Sequence, residues 1–160
     1  MATELTTMQN KILSPSEHTQ EAEEDIISLS GIAVKPLVLA ADDNETILKF
    51  IKRLVESNGF ECITTNSPTT AVRIAEEKHP SIILCDINFG IGKLNAMDVF
   101  SEIRSKNADV PFVIVTAILQ QESREKAEKI GITEYIIKPI DPEQMIATLR
   151  KLVNRKSIIH

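Results

Sequence analysis

The chain is poor in cysteine, in positive charge and in long apolar runs, and each shortage narrows what it can be. Only Cys62 and Cys85 occur in 160 residues. Two cysteines without a secretory leader read as reduced thiols rather than as a disulfide framework. Cys85 ends an apolar run and reads as a small buried hydrophobe. The formal net charge is −5, which argues against the broad basic footprint that nucleic acid or an anionic membrane selects. No apolar stretch approaches the roughly 18 residues of a membrane-spanning helix, and the first residues lack the basic start and apolar block of a signal peptide. The expected setting is cytoplasmic, with neither nucleic acid nor membrane as a partner. Internal repeats and low-complexity tracts are also missing.

What is there, from residue 36 onward, is alternation. Short β-branched runs, PLVLA (36–40), FECITT (60–65), SIILC (81–85), PFVIVT (111–116) and TEYIIK (133–138), read as strands. Three are nearly all apolar, as strands covered on both faces of a parallel sheet must be. Between them lie helical patterns. Residues 44–58 place Ile47, Ile51, Leu54 and Val55 on one stripe and stop at Asn58-Gly59. Residues 68–78 open on Ser67-Pro68, a capping serine with proline at the first helical position. Helices are expected at about 97–106, where Met97 and Phe100 read as core, and at about 120–130, closed by Gly131. The last, 142–154, has Asp141 as cap and Met145, Leu149, Leu152 and Val153 as its apolar face. Five β-α units joined by right-handed crossovers give an α/β fold with a doubly wound parallel sheet.

Residues 1–35 are unlike the rest. They hold six acids against Lys11 and Lys35, a net charge of −4, and no strand signal. Ser14-Pro15-Ser16-Glu17 has the form of a capping box, so a helix over about 15–29 is plausible. Its stripe of Ala22, Ile26 and Leu29 is thin. The segment reads as an acidic extension, partly helical or disordered, before a domain over 36–160. It is a candidate for docking on that domain or for mediating a homodimer.

The chemistry lies at the ends of the strands. In doubly wound sheets the ligand crevice sits beyond the carboxyl ends of the strands. Strand one ends in Asp42-Asp43, strand three in Asp86, strand four in Thr116-Ala117 and strand five in Lys138-Pro139. Each alone is ordinary: the aspartate pair also suits capping of the first helix, threonine is a common strand residue, and lysine often ends a strand. Together they place three acids, a hydroxyl and an amine on one sheet edge. Clustered carboxylates repel and raise at least one pKa, a penalty that a divalent cation removes. Mg²⁺ takes carboxylate oxygens, waters and phosphate in octahedral geometry. Asp86, on the central strand, is then the candidate nucleophile toward phosphorus. Lys138 and Thr116 are the groups to neutralise and hydrogen-bond phosphoryl oxygens.

On these residues the chain resembles the receiver domain of two-component response regulators, over about 36–155. Tyr135, an aromatic three residues before the lysine, fits as well. The resemblance implies a flavodoxin-like sheet of strand order 2-1-3-4-5 with five helices. It implies that Asp86 accepts phosphate from a histidine kinase or histidine phosphotransfer protein. It further implies that Asp43 and Asp86 ligate Mg²⁺, with the backbone carbonyl of Asn88, and that Asp42 acts mostly through water. Thr116 would move toward the phosphate and let Tyr135 turn inward, remodelling the face of the fourth helix, fifth strand and fifth helix. The Lys138-Pro139 bond is expected to be cis. Autodephosphorylation would be the only other chemistry, so an enzyme with turnover on a separate substrate is not expected. Nothing after residue 155 reads as an output domain, so the expected reader of the phosphate is a further, unidentified protein.

The chain departs from the family in the stretch INFGIGKLNAMDVF (87–100), which lacks proline, has two glycines and carries about two extra residues. Two other functions compete. Asp42-Asp43-Asn44-Glu45-Thr46 approaches the Asp-x-Asp-x-Thr start of haloacid-dehalogenase-type phosphatases, with Asp42 as nucleophile. Asn44 at the second acid position, and the lack of an acidic pair after Lys138, count against it. A degenerate receiver acting as a phosphate-independent interaction module is the third reading; the complete acid, threonine and lysine set counts against it. Ile118, apolar and two residues past Thr116, is expected to screen the site from water.

Overall fold

The structure, a computed structural model, describes residues 34–157 apart from Ile91, Asn107, Ala108, Leu119 and Thr133. The acidic segment over 1–33, with its expected helix, lies outside the described residues. Five parallel strands form one sheet in the order β2-β1-β3-β4-β5: β1 Leu37–Ala41, β2 Glu61–Thr65, β3 Ile82–Cys85, β4 Phe112–Thr116 and β5 Glu134–Ile137. The helices among the described residues are α1 Glu45–Glu56, α2 Pro68–Lys78, α3 Ala96–Ser105, α4 Gln121–Lys129 and α5 Pro142–Ser157. The doubly wound architecture expected from the alternation is present, and element ends differ from the expected ones by at most three residues.

Side-chain alternation along the strands sorts the core into two layers. Leu39, Ala41, Ile83, Cys85, Phe112 and Ile114 point to one side, against Ala71, Val72 and Ala75 of α2 and Val99, Phe100 and Ile103 of α3. Val38, Ala40, Ile82, Leu84, Val113, Val115 and Ile136 point to the other, against α1 and α5. All residues of β3 and β4 are buried, as central strands roofed on both sides must be. On the α3 side, Phe100 and Phe112 meet edge to face at 5.2 Å, and the Arg104 guanidinium stacks on Phe100 at 4.7 Å.

Local chemistry sets the helix starts, with one correction. The cap of α1 is Asn44, not an aspartate: its side-chain oxygen accepts from the Thr46 and Ile47 amides at 2.9 and 3.2 Å. That leaves Asp42 and Asp43 outside the helix. The buried face of α1 is Leu48, Ile51 and Val55, whereas Ile47 and Leu54 are only half-buried at its margin. Ser67 caps α2 with Pro68 at its first position. Asp141 holds the Gln144 amide at the start of α5, and Ile146 joins the buried face.

The fourth helix is the exception to amphipathic packing. Its sequence, QESREKAEK, buries only Ala127. It is laced along its own surface by Arg124 to Glu128 at 2.9 Å, Lys126 to Glu122 at 2.6 Å and Gln121 to Glu125 at 3.0 Å. Such i,i+4 pairs contribute only about 0.2–0.5 kcal/mol each.

The two aromatic environments give a direct test of where stability resides. Phe100→Ala should lower the free energy of unfolding by about 3–4 kcal/mol in urea denaturation. Phe50→Ala, at a position 39% exposed on α1, should cost about 1 kcal/mol or less. Equal losses would contradict this assignment of the core.

Candidate functional site

Strand register brings the chemical groups to one edge. Ala41 pairs with Cys85, Cys85 with Ile114, and Thr116 with Ile137. The next residues of β1, β3 and β5 are therefore Asp42, Asp86 and Lys138. Backbone bonds carry the ladder on to these tips: the Asp42 amide donates to the Thr65 carbonyl at 3.2 Å, that of Asp86 to Ala41 at 2.8 Å, and that of Lys138 to Thr116 at 2.8 Å. Each side chain thus leaves a fixed backbone. The Lys138-Pro139 peptide is cis, as the resemblance led us to expect.

Carboxylate oxygens of Asp42, Asp43 and Asp86 lie within 4.8 Å of one another. Asp42 is 2% exposed. One of its oxygens accepts from the Asn44 amide at 2.8 Å and the other from the Lys138 ammonium at 2.6 Å. Lys138 Nζ also lies 3.6 Å from Asp86 Oδ1. That oxygen accepts from the Ile87 amide at 2.8 Å. Asp43 is exposed at the mouth.

One lysine cannot balance three acids at this spacing. Burial raises the Asp86 carboxyl above the usual carboxylate range, and the charges of Asp42 and Asp43 raise it further; Lys138 and the Ile87 amide work the other way. A site of this kind stabilises a small multivalent cation, and its donors are the hard oxygens that Mg²⁺ or Ca²⁺ selects. The residues present therefore fit a divalent metal.

Thr116 is buried, and its hydroxyl donates to the Ile118 carbonyl at 3.1 Å, within its own loop. Ile118 is 70% exposed. Tyr135 is half-buried against the α2–α3 side of the core, and its hydroxyl donates to the Ile132 carbonyl at 2.8 Å. The Arg124 guanidinium lies 5.4 Å from the Tyr135 ring centroid, held there by Glu128. Asn88 is exposed between two buried residues, Ile87 and Phe89. Cys85, directly before Asp86, is fully buried; burial first, then Asp86 and Asp42, pushes its thiol far up. It serves as core packing rather than as a nucleophile.

All the residues singled out from the strand ends thus fall along one edge, with Tyr135 one strand-length back on β5. Sequence reasoning missed two contacts. The closest ion pair of Lys138 is with Asp42, not Asp86, a choice of partner that no spacing encodes. The burial of Phe89 was also missed, although the alternation Ile87-Asn88-Phe89 carried a trace of it.

A family model described as the response regulator receiver domain matches residues 38–150. The transcriptional regulatory protein PrrA of Mycobacterium tuberculosis is 29% identical over 121 residues, covering 76% of this chain and 51% of that protein. The chain spans about half the length of the curated relatives it matches. Among solved structures, a response regulator receiver domain protein from Clostridium thermocellum is 29% identical with a TM-score of 0.71, covering 78% of this chain and 99% of that one. The chemotaxis protein CheY4 of Vibrio cholerae, at 22% identity and a TM-score of 0.69, covers 74% of this chain and 98% of its own; it is similar in fold.

The electrostatics of the site carry a measurable sign. Folding penalises the ionised Asp86, so that its contribution to stability falls as pH rises from the ordinary value near 3.8 through the raised one. Asp86→Asn removes the penalty and leaves Lys138 on Asp42. The variant should melt above the parent at pH 7.5 without metal. The gap should close toward pH 3.5 in calorimetry. A variant no more stable at pH 7.5 would overturn the electrostatic account.

Proposed function

We infer the function from a family membership: this chain belongs to the response regulator receiver domains of two-component signalling. Within that family we read it as a working phosphoacceptor with Asp86 as the acceptor. The observation that carries the reading is the convergence of three carboxylates on one lysine-bearing strand edge, an arrangement that is unfavourable without a cation.

The donor is a phosphohistidine of a histidine kinase or phosphotransfer protein. Asp86 Oδ1 is held by the Ile87 amide, so Oδ2 is the oxygen that attacks phosphorus. The new P–O bond forms as the P–N bond to imidazole breaks, and the imidazole nitrogen keeps the electron pair. Asp43, Asp86 and the Asn88 carbonyl would hold Mg²⁺, with Asp42, one oxygen of which accepts from the Asn44 amide, acting mostly through water. When bound, the ion supplies charge neutralisation for the phosphoryl oxygens. Lys138 neutralises a further oxygen by moving from the aspartates to the acyl phosphate. Thr116 leaves the Ile118 carbonyl to donate to the third. Tyr135 follows into the space that Thr116 vacates, and Arg124 loses its stacking partner.

The changed α4–β5–α5 face is then what a downstream protein, or a second copy of this chain, recognises. Chemotaxis-type signalling and a phosphorelay both suit a receiver of this kind, and the cytoplasm suits its thiols. No helix among the described residues is long and apolar enough to cross a membrane. We also read residues 1–35 as an extension separate from the receiver over 36–160.

Incubation with a small acyl phosphate and Mg²⁺ should label the chain at Asp86, located by peptide mass spectrometry. Asp86→Asn should abolish the label, and chelation of the metal should do the same. Label retained on Asp42 would favour the dehalogenase-type reading, and no label on any residue would favour the degenerate module. In the labelled protein, Ile118→Glu should speed dephosphorylation by carrying a polar group to the site mouth; an unchanged decay rate would remove Ile118 as a water screen.

A further inference from the structure

Among the described residues Phe89 is one of the largest fully buried side chains, yet it lies in the loop after β3 rather than in a strand or helix. It is 2% exposed and belongs to the core cluster that includes Ala96, Val99 and Phe100. Ile87, two residues earlier, is 5% exposed, and its carbonyl accepts from the Ala96 amide at 3.1 Å. The loop is therefore tied to the core at Ile87 and Phe89, and at its far end by the reciprocal Asn95–Asp98 capping box. Directly after Phe89 the chain turns through Gly90 at φ +93° and Gly92 at φ +76°. At both glycines a side chain would meet open space, so glycine is required there by the dihedral and not by crowding. Two glycines make the turn permissive, and a permissive turn does not hold its neighbours in place. The buried ring does.

The carbonyl of Asn88 belongs to the same planar peptide unit as the nitrogen of Phe89. Fixing the backbone on either side of that plane fixes where the carbonyl points. Ile87 and Phe89 are those fixings, and Asn88 stands exposed between them. We propose that Phe89 is a positioning residue for divalent-metal binding: its buried ring orients the Asn88 peptide as the neutral oxygen ligand beside Asp43 and Asp86. The inference rests on the acidic edge being a metal site, as read above. It adds that the affinity of that site is set partly by a hydrophobic contact on the far side of the loop. Outer contacts that orient metal ligands typically account for roughly 10- to 100-fold in affinity.

The test is Mg²⁺ binding to the full chain by calorimetry, with Mn²⁺ electron paramagnetic resonance as a second readout; neither depends on phosphorylation. Phe89→Ala should weaken Mg²⁺ by about 10-fold or more. Phe89→Leu, which keeps most of the buried volume and tolerates folding better, should fall between Phe89→Ala and the parent. Ile103→Ala opens a cavity in the same cluster from α3 rather than from the loop; it should lower the thermal midpoint but leave the Mg²⁺ constant within about twofold. Parental affinity in both Phe89 variants overturns the proposal, and so does an Ile103→Ala chain weakened as much as Phe89→Ala. If Asp43→Asn binds Mg²⁺ as tightly as the parent, the metal reading fails first and the role of Phe89 falls with it. Weak binding in Asp43→Asn with unaltered binding in the Phe89 variants removes Phe89 alone.

Discussion

Repulsion among three carboxylates is the constraint on which this domain is organised. Carboxylate oxygens of Asp42, Asp43 and Asp86 are brought within 4.8 Å by the register of β1 and β3, against the mutual repulsion of the acids. The cost is borne by the sheet. Two fully buried central strands and two helical layers hold the backbone at the tips rigid. Lys138 offsets part of the charge from β5, three strands away from β1 in the sheet order. The sheet therefore stores an unbalanced negative charge at one place, and whatever reduces that charge is bound there.

Much of this was legible before any coordinates. Apolar runs such as SIILC and PFVIVT have the composition of doubly roofed parallel strands, and their spacing leaves room for one helix each. The residues that end those runs are polar in a combination that packing does not call for, and so Asp42, Asp86, Thr116 and Lys138 stood out as a set. Helix boundaries followed from local chemistry where that chemistry is strong: Ser67-Pro68 for α2, Asp141-Pro142 for α5.

Legibility ended where the outcome depends on three-dimensional choice. Asn44 won the capping of α1 over its acidic neighbours because the helix begins one residue later, freeing the aspartates to face the crevice. Leu48 rather than Ile47 faces the sheet, a rotation too small for periodicity alone to decide. The partner of Lys138 depends on how far a flexible side chain reaches. The loop at 87–95 was legible only as a departure from its family, since two glycines and one phenylalanine do not reveal which of them will be anchored.

The polar fourth helix gives the domain a soft flank. Among the described residues, its one fully buried side chain is an alanine, and one of its cations rests on an aromatic ring, so little apolar area ties it to the sheet. Of the two helical layers, the one that includes α4 thus has a member with little apolar area on the sheet, while α1 and α5 on the other side each bury an apolar face. The packing of the domain is lopsided, and the more lightly packed helix lies on the side of the sole tyrosine.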